Sequence, residues 1–314
     1  MPDTSAIPIL AGPTGAGKTA LAIRLASEFP LEVVSADSRQ MIRHLDIGTA
    51  KPTAEERRLV NFHLLDLIEP GERYSAYRFV QDADRAIAAI LSRGRIPMVV
   101  GGTGFYLKAL VDGVMVTDVD DGGAVKARLT EEMKRLGAEA MHRRLAAVDP
   151  AEAVRIHPNN QRRVIRALEI YELTGVSKST LAASGAYNKS DYRFEFFCLL
   201  PEREAMYEQI DSRVDAMMQA GLIKEVEGFV VAGRKNQLRQ ANVIGYNELL
   251  DHMEGLYTLA EAVALIKQNS RRYAKRQVTW FRHQVDGHFF DCTDRLFEAL
   301  RLHLTKSRWA DQQT

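Results

Sequence analysis

Residues 12–19, "GPTGAGKT", directly follow the apolar run "IPILA" at 7–11. The spacing G-x-x-x-x-G-K-[ST] is that of the phosphate-cradling loop of nucleotide- and ATP-binding proteins. A buried strand that passes through such a loop into a helix aims several backbone N–H groups at one anion. "KTALAIRLASEF", from residue 18 on, has the apolar spacing of that helix. Gly12, Pro13, Thr14, Gly15, Ala16, Gly17, Lys18 and Thr19 are therefore the candidate phosphate site. Lys18 adds a point charge, and the Thr19 hydroxyl suits a Mg2+ ion bridging two phosphate oxygens.

Outward from the loop, strands and helices alternate. "LEVVSAD" (31–37), "NFHLLDL" (61–67) and "IPMVVGGTG" (96–104) are expected strands, and 75–94 is an expected helix capped by Gly94. This order predicts the α/β class: a P-loop-type parallel sheet with helices on both faces. The pattern changes after "VMVTDVDDGG" (114–123). No strand is expected from about 124 to 185, where 124–148 and 160–175 have helical periodicity. "YRFEFFCLL" (192–200) returns as a strand, followed by helices at 202–220, 222–232, 246–254 and 258–283. The expected division is a catalytic core with C-terminal helices at 1–120 and 190–314, interrupted by a helical insertion domain at 121–189. The polar tail 303–314 is expected to fray.

Composition excludes several classes. Of the 314 residues 46% are hydrophobic and 26% charged, which is ordinary for a globular chain with its own core. No apolar run approaches the ~20 residues of a membrane span, and the N-terminus lacks the basic region of a signal peptide. A cytoplasmic protein is expected. A net charge of +1 means that any nucleic acid must be met by a local patch. Cys198 and Cys292 match no metal-ligand spacing and are expected as buried thiols. No exposed heptad stands out, so a monomer is expected.

Two further features carry chemistry. A P-loop NTPase holds its metal through a second acid at a strand end, yet "PMVVGG" ends without one. "LEVVSAD" ends on Asp37. That carboxylate is either a metal ligand, as in a kinase-like enzyme, or a general base facing the attacking group. The second feature is "SRRYAKRQVTWFRHQ" (270–284). On a helix Arg272, Arg276, Thr279 and His283 form one stripe, with Arg271, Lys275 and Arg282 beside it and Tyr273, Trp280 and Phe281 interleaved. Cations that grip phosphate among rings that stack suit RNA. "HRRL" (142–145), Arg155, Arg162, Arg163 and Arg166 form a second basic cluster in the insertion.

These stretches resemble one family. "GPTGAGKT", "VVSADSRQM", "LDIGTAKP", "VVGGTGFYLKAL", "HPNNQRRVIRALEIYELTG", "RVDAMMQAGLIKEV", "VIGYNEL" and "RRYAKRQVTWFR" follow the order found in bacterial tRNA dimethylallyltransferases, across about residues 7–284. The resemblance implies transfer of an isopentenyl group from dimethylallyl diphosphate to the exocyclic N6 amine of the adenosine 3′ of the tRNA anticodon. It implies Asp37 as general base, Thr103 near the reacting centre, and Arg213 on the diphosphate. The loop would hold the donor diphosphate, with Mg2+ at Thr19. Contacts to tRNA are implied for Asp37, Ser38, Arg39 and Gln40. They are implied also for Lys126, Arg162, Arg163, Arg166, Asn242, Gly245, Tyr246, Lys275, Arg276, Gln277, Trp280 and Arg282. The chain departs from the family pattern at Ile42, at Phe62-His63-Leu64-Leu65-Asp66, in the linker "VDDGG", and at Asn242 and Asn247. The missing strand-end acid is then expected, because no γ-phosphate is transferred. Rival readings are a prenyltransferase acting on free AMP or ADP, a P-loop kinase or NTPase, and a non-catalytic RNA-binding protein.

Overall fold

The computed structural model describes residues 6–115, 123–185 and 187–306. Contacts divide the chain into two compact units, Met1–Asp112 with Ser190–Thr314, and Gly113–Lys189.

The first unit begins with β1 (Ile7–Ala11), α1 (Lys18–Ala26), β2 (Leu31–Ser35), α2 (Ala54–Leu59), β3 (Phe62–His63), α3 (Ala76–Ser92), β4 (Ile96–Gly101) and α4 (Gly104–Asp112). The second unit contributes β5 (Val114–Met115), α5 (Ala124–Leu136), α6 (Ala138–Val148), α7 (Pro150–Arg155), α8 (Gln161–Thr174), α9 (Lys178–Ala183) and β6 (Tyr187–Asn188). The first unit resumes with β7 (Phe194–Leu199), α10 (Arg203–Gln219), α11 (Leu222–Val231), α12 (Lys235–Ala241), α13 (Tyr246–Met253), α14 (Leu259–Gln284), β8 (His288–Phe290) and α15 (Thr293–Lys306).

Six strands form one sheet in the order β3-β2-β4-β1-β7-β8, every neighbouring pair parallel. β1, β2 and β4 are buried along their whole length, as a sheet covered on both faces requires. Leu21 and Leu25 of α1 and Phe297, Leu300 and Leu304 of α15 pack on one face, against Leu10, Val33, Met98 and Phe197. α3 packs against β2 and β4, with Phe79, Val80, Ala83, Ile87 and Ile90 buried. Ser75 caps this helix by accepting the N–H of Arg78. A second core gathers α11, α12, α13 and the start of α14 around Leu222, Val226, Leu238, Leu249, Leu250 and Ile266.

The second unit has its own core, including Leu129, Met133, Met141, Leu145, Val164 and Leu168. The periodic stretch 124–148 is two helices, because Gly137 takes φ +83° and breaks it. β5 and β6 pair antiparallel.

Three expectations are corrected. The strand expected at 61–67 is reduced to Phe62–His63, since Leu64 and Asp66 adopt φ +63° and +56° and leave the extended region. Residues 303–306 do not fray: they complete α15, where Leu304 is buried and His303 Nε2 lies 2.8 Å from the Ala6 carbonyl. Cys198 is buried but Cys292 is exposed. The rest of that tail, 307–314, and most of the "VDDGG" linker lie outside the described residues. Among the described residues no helix is long and apolar enough to cross a membrane.

Candidate active site

The ends of β1, β4 and β2 lie side by side, and the chemistry-bearing side chains follow them directly. After β1 the chain turns through the glycine loop, and Gly17 in the left-handed region starts α1. Lys18 Nζ donates to the Pro13 carbonyl at 2.7 Å. Burial lowers its pKa to about 8; the Asp37 carboxylate opposes that shift and the Arg213 guanidinium adds to it. Arg213, from α10, donates through Nη2 to Thr14 Oγ1 at 2.7 Å. Desolvation lowers its pKa also, against the attraction of Asp37. The Thr19 hydroxyl has no hydrogen bond among the described residues. The loop therefore presents two enclosed cations and a free hydroxyl where an anion would sit.

The facing side comes from β2 and β4. Gly101 ends β4, and a Cβ there would lie 2.2 Å from the Ala36 carbonyl, so only glycine allows the two chains to meet so closely. The close approach lets Thr103 N–H donate to the Ala36 carbonyl (3.2 Å) and Thr103 Oγ1 accept the Ser38 N–H (3.0 Å). These bonds fix the backbone around Asp37. One Asp37 oxygen accepts the Arg39 N–H at 2.9 Å; the other has no partner among the described residues. Its charge acts on Lys18, Arg213, Tyr106 and Tyr273, which surround it. Burial pushes the Tyr106 phenol up to about 12, and its hydroxyl donates to the Tyr74 carbonyl at 3.1 Å. Tyr106 and Tyr273 were not anticipated as neighbours of Asp37, although both stand inside quoted motifs.

Residues 40–284 match the family model described as "IPP transferase", and residues 5–66 match one described as "Isopentenyl transferase". The chain belongs to the IPP transferase family. It is 48% identical over 297 residues to the tRNA dimethylallyltransferase 1 of Syntrophotalea carbinolica, covering 94% of each chain. It is 44% identical over 291 residues to the tRNA dimethylallyltransferase of Geobacillus thermodenitrificans, covering 93% and 92%. Among solved structures, the tRNA isopentenylpyrophosphate transferase of Bacillus halodurans aligns with TM-score 0.68 and 36% identity over 99% of this chain and 100% of that one. A eukaryotic dimethylallyltransferase acting on tRNA aligns with TM-score 0.75 and 30% identity, over 88% and 70%.

The family motifs separate into exposed cations and internal ties. Lys275, Arg276 and Arg282 on α14 are exposed, as are Arg272, Thr279 and His283 of the expected stripe. Arg271 instead pairs with Asp211 at 2.5 Å. Trp280 packs on Gly104, where a Cβ would stand 2.3 Å from the indole. In the insertion Lys126, Arg162 and Arg163 are exposed without an ion pair among the described residues, and Arg166 pairs with Glu169 at 2.9 Å. The "HRRL" cluster is partly consumed. Arg144 joins Arg128, Glu132 and Glu172 in an ion-pair ring, and His142 lies against the Ala153 and Ile156 carbonyls.

Four expected tRNA contacts have other uses in the structure. Tyr246 is wholly buried; its hydroxyl donates to Glu225 and accepts the Gly48 N–H at 3.1 Å. Gly245 is buried beneath the α13 capping box, its N–H on Glu248 at 2.8 Å. Gln40 spends its amide on Ser35 Oγ (3.2 Å) and the Ala50 carbonyl (3.0 Å). Gln277 is 8% exposed and binds backbone at both ends of its amide. In the structure these four residues are held by packing and by satisfied internal hydrogen bonds. Arg39 donates to the Ala241 carbonyl at 2.9 Å, while Asn242 beside it is exposed. Ile42, a departure from the family pattern, is buried in the second core.

"DIGTAKP" is explained by an ammonium hidden from water. The Lys51 side chain is 1% exposed, and Nζ donates to Asp46 (2.7 Å), Asp66 (2.5 Å) and the Ile42 carbonyl (2.6 Å). All three of its protons are used. It pins the loop that follows Gln40.

Proposed function

We propose that this chain is a tRNA dimethylallyltransferase, transferring the dimethylallyl group of dimethylallyl diphosphate to N6 of the adenosine 3′ of the anticodon. The observation that carries this reading is the meeting of an anion cradle, with Lys18 and Arg213, after β1 and the half-free Asp37 carboxylate after β2, with β4 between the two strands. The names of the relatives support tRNA as the acceptor and a dimethylallyl group as what is transferred.

The donor diphosphate lies on the loop N–H groups, with Lys18 and Arg213 on its oxygens. As the allylic C–O bond breaks, negative charge grows on the departing diphosphate, and the enclosed cations stabilise it where it develops. The adenine amine is a weak nucleophile, its lone pair delocalised into the ring. Asp37 accepts a hydrogen bond from that amine and takes its proton as the new C–N bond forms. Thr103 holds the Asp37 backbone. The products are N6-isopentenyladenosine and diphosphate. Among the described residues no cluster of three acidic, His or Cys side chains could cage a metal. A Mg2+ ion that takes most of its ligands from substrate phosphate and water fits the free Thr19 hydroxyl. Such an ion would add positive charge on the leaving group.

The acceptor base must leave the anticodon stack, which costs a few kcal/mol. Phosphate contacts from Lys275, Arg276 and Arg282 on α14, and from Lys126, Arg162, Arg163 and Arg166 in the insertion 121–189, would offset that cost. Asn242, the 37–40 segment and Trp280 complete the proposed RNA contacts. A cytoplasmic monomer is part of this reading.

The test is mass spectrometry of an anticodon stem-loop incubated with enzyme, Mg2+ and dimethylallyl diphosphate. One C5H8 addition to the target adenosine is expected. Addition to AMP but not to the stem-loop would replace the reading with a free-nucleotide prenyltransferase. ATP turnover without any prenyl donor would replace it with an NTPase.

A further inference from the structure

β1 and β4 pair as far as Ala11 and Gly101, and there the ladder ends. Beyond it no ladder pair joins the donor loop to the Gly102–Gly104 turn, yet the proposed reaction needs their separation held. One side chain spans the gap. Gln277 Oε1 accepts the Thr14 N–H at 2.9 Å, and its Nε2 donates to the Gly102 carbonyl at 2.7 Å. Gly102 has no room for more: a Cβ would stand 2.6 Å from Gln277 Nε2 and 3.0 Å from the Gly12 carbonyl.

Both ends of this bridge lead to the proposed chemistry. Thr14 is also the residue that Arg213 grips through Oγ1. Gly102 precedes Thr103, which accepts the Ser38 N–H and so holds the backbone next to Asp37. A chain of hydrogen bonds thus runs from the diphosphate loop, through one buried amide, to the segment that carries the carboxylate. Buried polar links of this kind are fully satisfied or costly, and here the bridging contacts use one donor and one acceptor of the amide.

We infer that Gln277 is a positioning residue, its amide setting the spacing between the donor loop and the Asp37–Thr103 side of the site. This rests on the prenyl-transfer reading, and it removes Gln277 from the RNA-contacting residues of α14. It makes no contact with substrate; it acts through Thr14 and Gly102.

Gln277→Met keeps the volume and removes both bonds. A misplacement of about 1 Å costs on the order of 10²-fold in rate. A fall in kcat of about 10–10²-fold is therefore expected, with the Kd for donor-free anticodon stem-loop within about twofold of wild type. The Thr14 amide should also exchange with solvent faster. Gly102→Ala pushes the same amide aside without altering Gln277, so it should reproduce the loss of kcat and keep the stem-loop Kd. If Gln277→Met does not fold, Gln277→Glu, which keeps an acceptor for the Thr14 N–H and loses the donor to the Gly102 carbonyl, takes its place with the same expected readout. A kcat within twofold of wild type overturns the inference, as does a weakened stem-loop Kd with kcat unchanged. Wild-type activity on the stem-loop is measured first. Its absence would sink the prenyl-transfer reading itself, whereas an active wild type with an equally active Gln277→Met sinks only this inference.

Discussion

Raising the pH past 8 should weaken donor binding, through Lys18. Its ammonium is enclosed by the loop and titrates at about 8 in the donor-free protein. Only the protonated form attracts a diphosphate. A group with a pKa near 8 is about 90% protonated at pH 7 and about 10% at pH 9. The apparent Kd for dimethylallyl diphosphate should therefore rise about ninefold over that interval. The ligand contributes little, since phosphate esters complete their ionisation near pH 6. Binding at pH 9 should also take up close to one proton, because the bound anion restores the ammonium. The sign for stability follows from the same shift. The folded, donor-free protein holds this proton less tightly than the unfolded chain, so its stability should rise as pH climbs from about 8 towards 10.5. The assay is calorimetry in two buffers of different ionisation enthalpy, from pH 6.5 to 9.5. Lys18→Arg is the control, because a guanidinium keeps its charge throughout. Asp37→Asn should move the midpoint below that of wild type, since the carboxylate props the lysine up. An affinity that stays flat to pH 9.5 with no proton uptake, or a pH dependence that survives in Lys18→Arg, would refute the reasoning.

Asp37→Ala should lower kcat by about 10²–10⁴-fold while stem-loop affinity changes little, the usual range for a lost general base; single-turnover kinetics would show it, and an unchanged rate would remove Asp37 from the mechanism. Lys275→Ala and Arg282→Ala should each flatten the salt dependence of stem-loop binding by about 0.7–0.9 in log–log slope, and a slope identical to wild type would mean that neither touches phosphate. Tyr246→Phe strands the Gly48 N–H and alters the Glu225 hydrogen bonds. It should cost about 1–3 kcal/mol in urea unfolding with stem-loop affinity unchanged; weakened RNA binding at full stability would restore Tyr246 to the RNA surface.

Much of the architecture was legible because it is local. A glycine loop between an apolar run and an amphipathic stretch can be little else, and alternating elements imply parallel pairing. Boundaries were less legible where one residue in an unusual conformation ends an element. Leu64 and Asp66 cut β3 short, and Gly137 splits one expected helix into two. The polar composition of α15 hid four apolar residues, Leu296, Phe297, Leu300 and Leu304, whose burial is set by the sheet they cover.

The division is sharpest in α14. Residue types and spacing along the chain were enough to mark the phosphate loop, the strand-end acid and a basic aromatic helix, since each is a pattern of neighbours in sequence. They could not tell Lys275 and Arg276, which face solvent, from Gln277, whose amide reaches residues 14 and 102. That distinction depends on which side of the helix meets the sheet, and long-range packing alone sets it. The same holds for Tyr246, marked by its motif for RNA and held by the core.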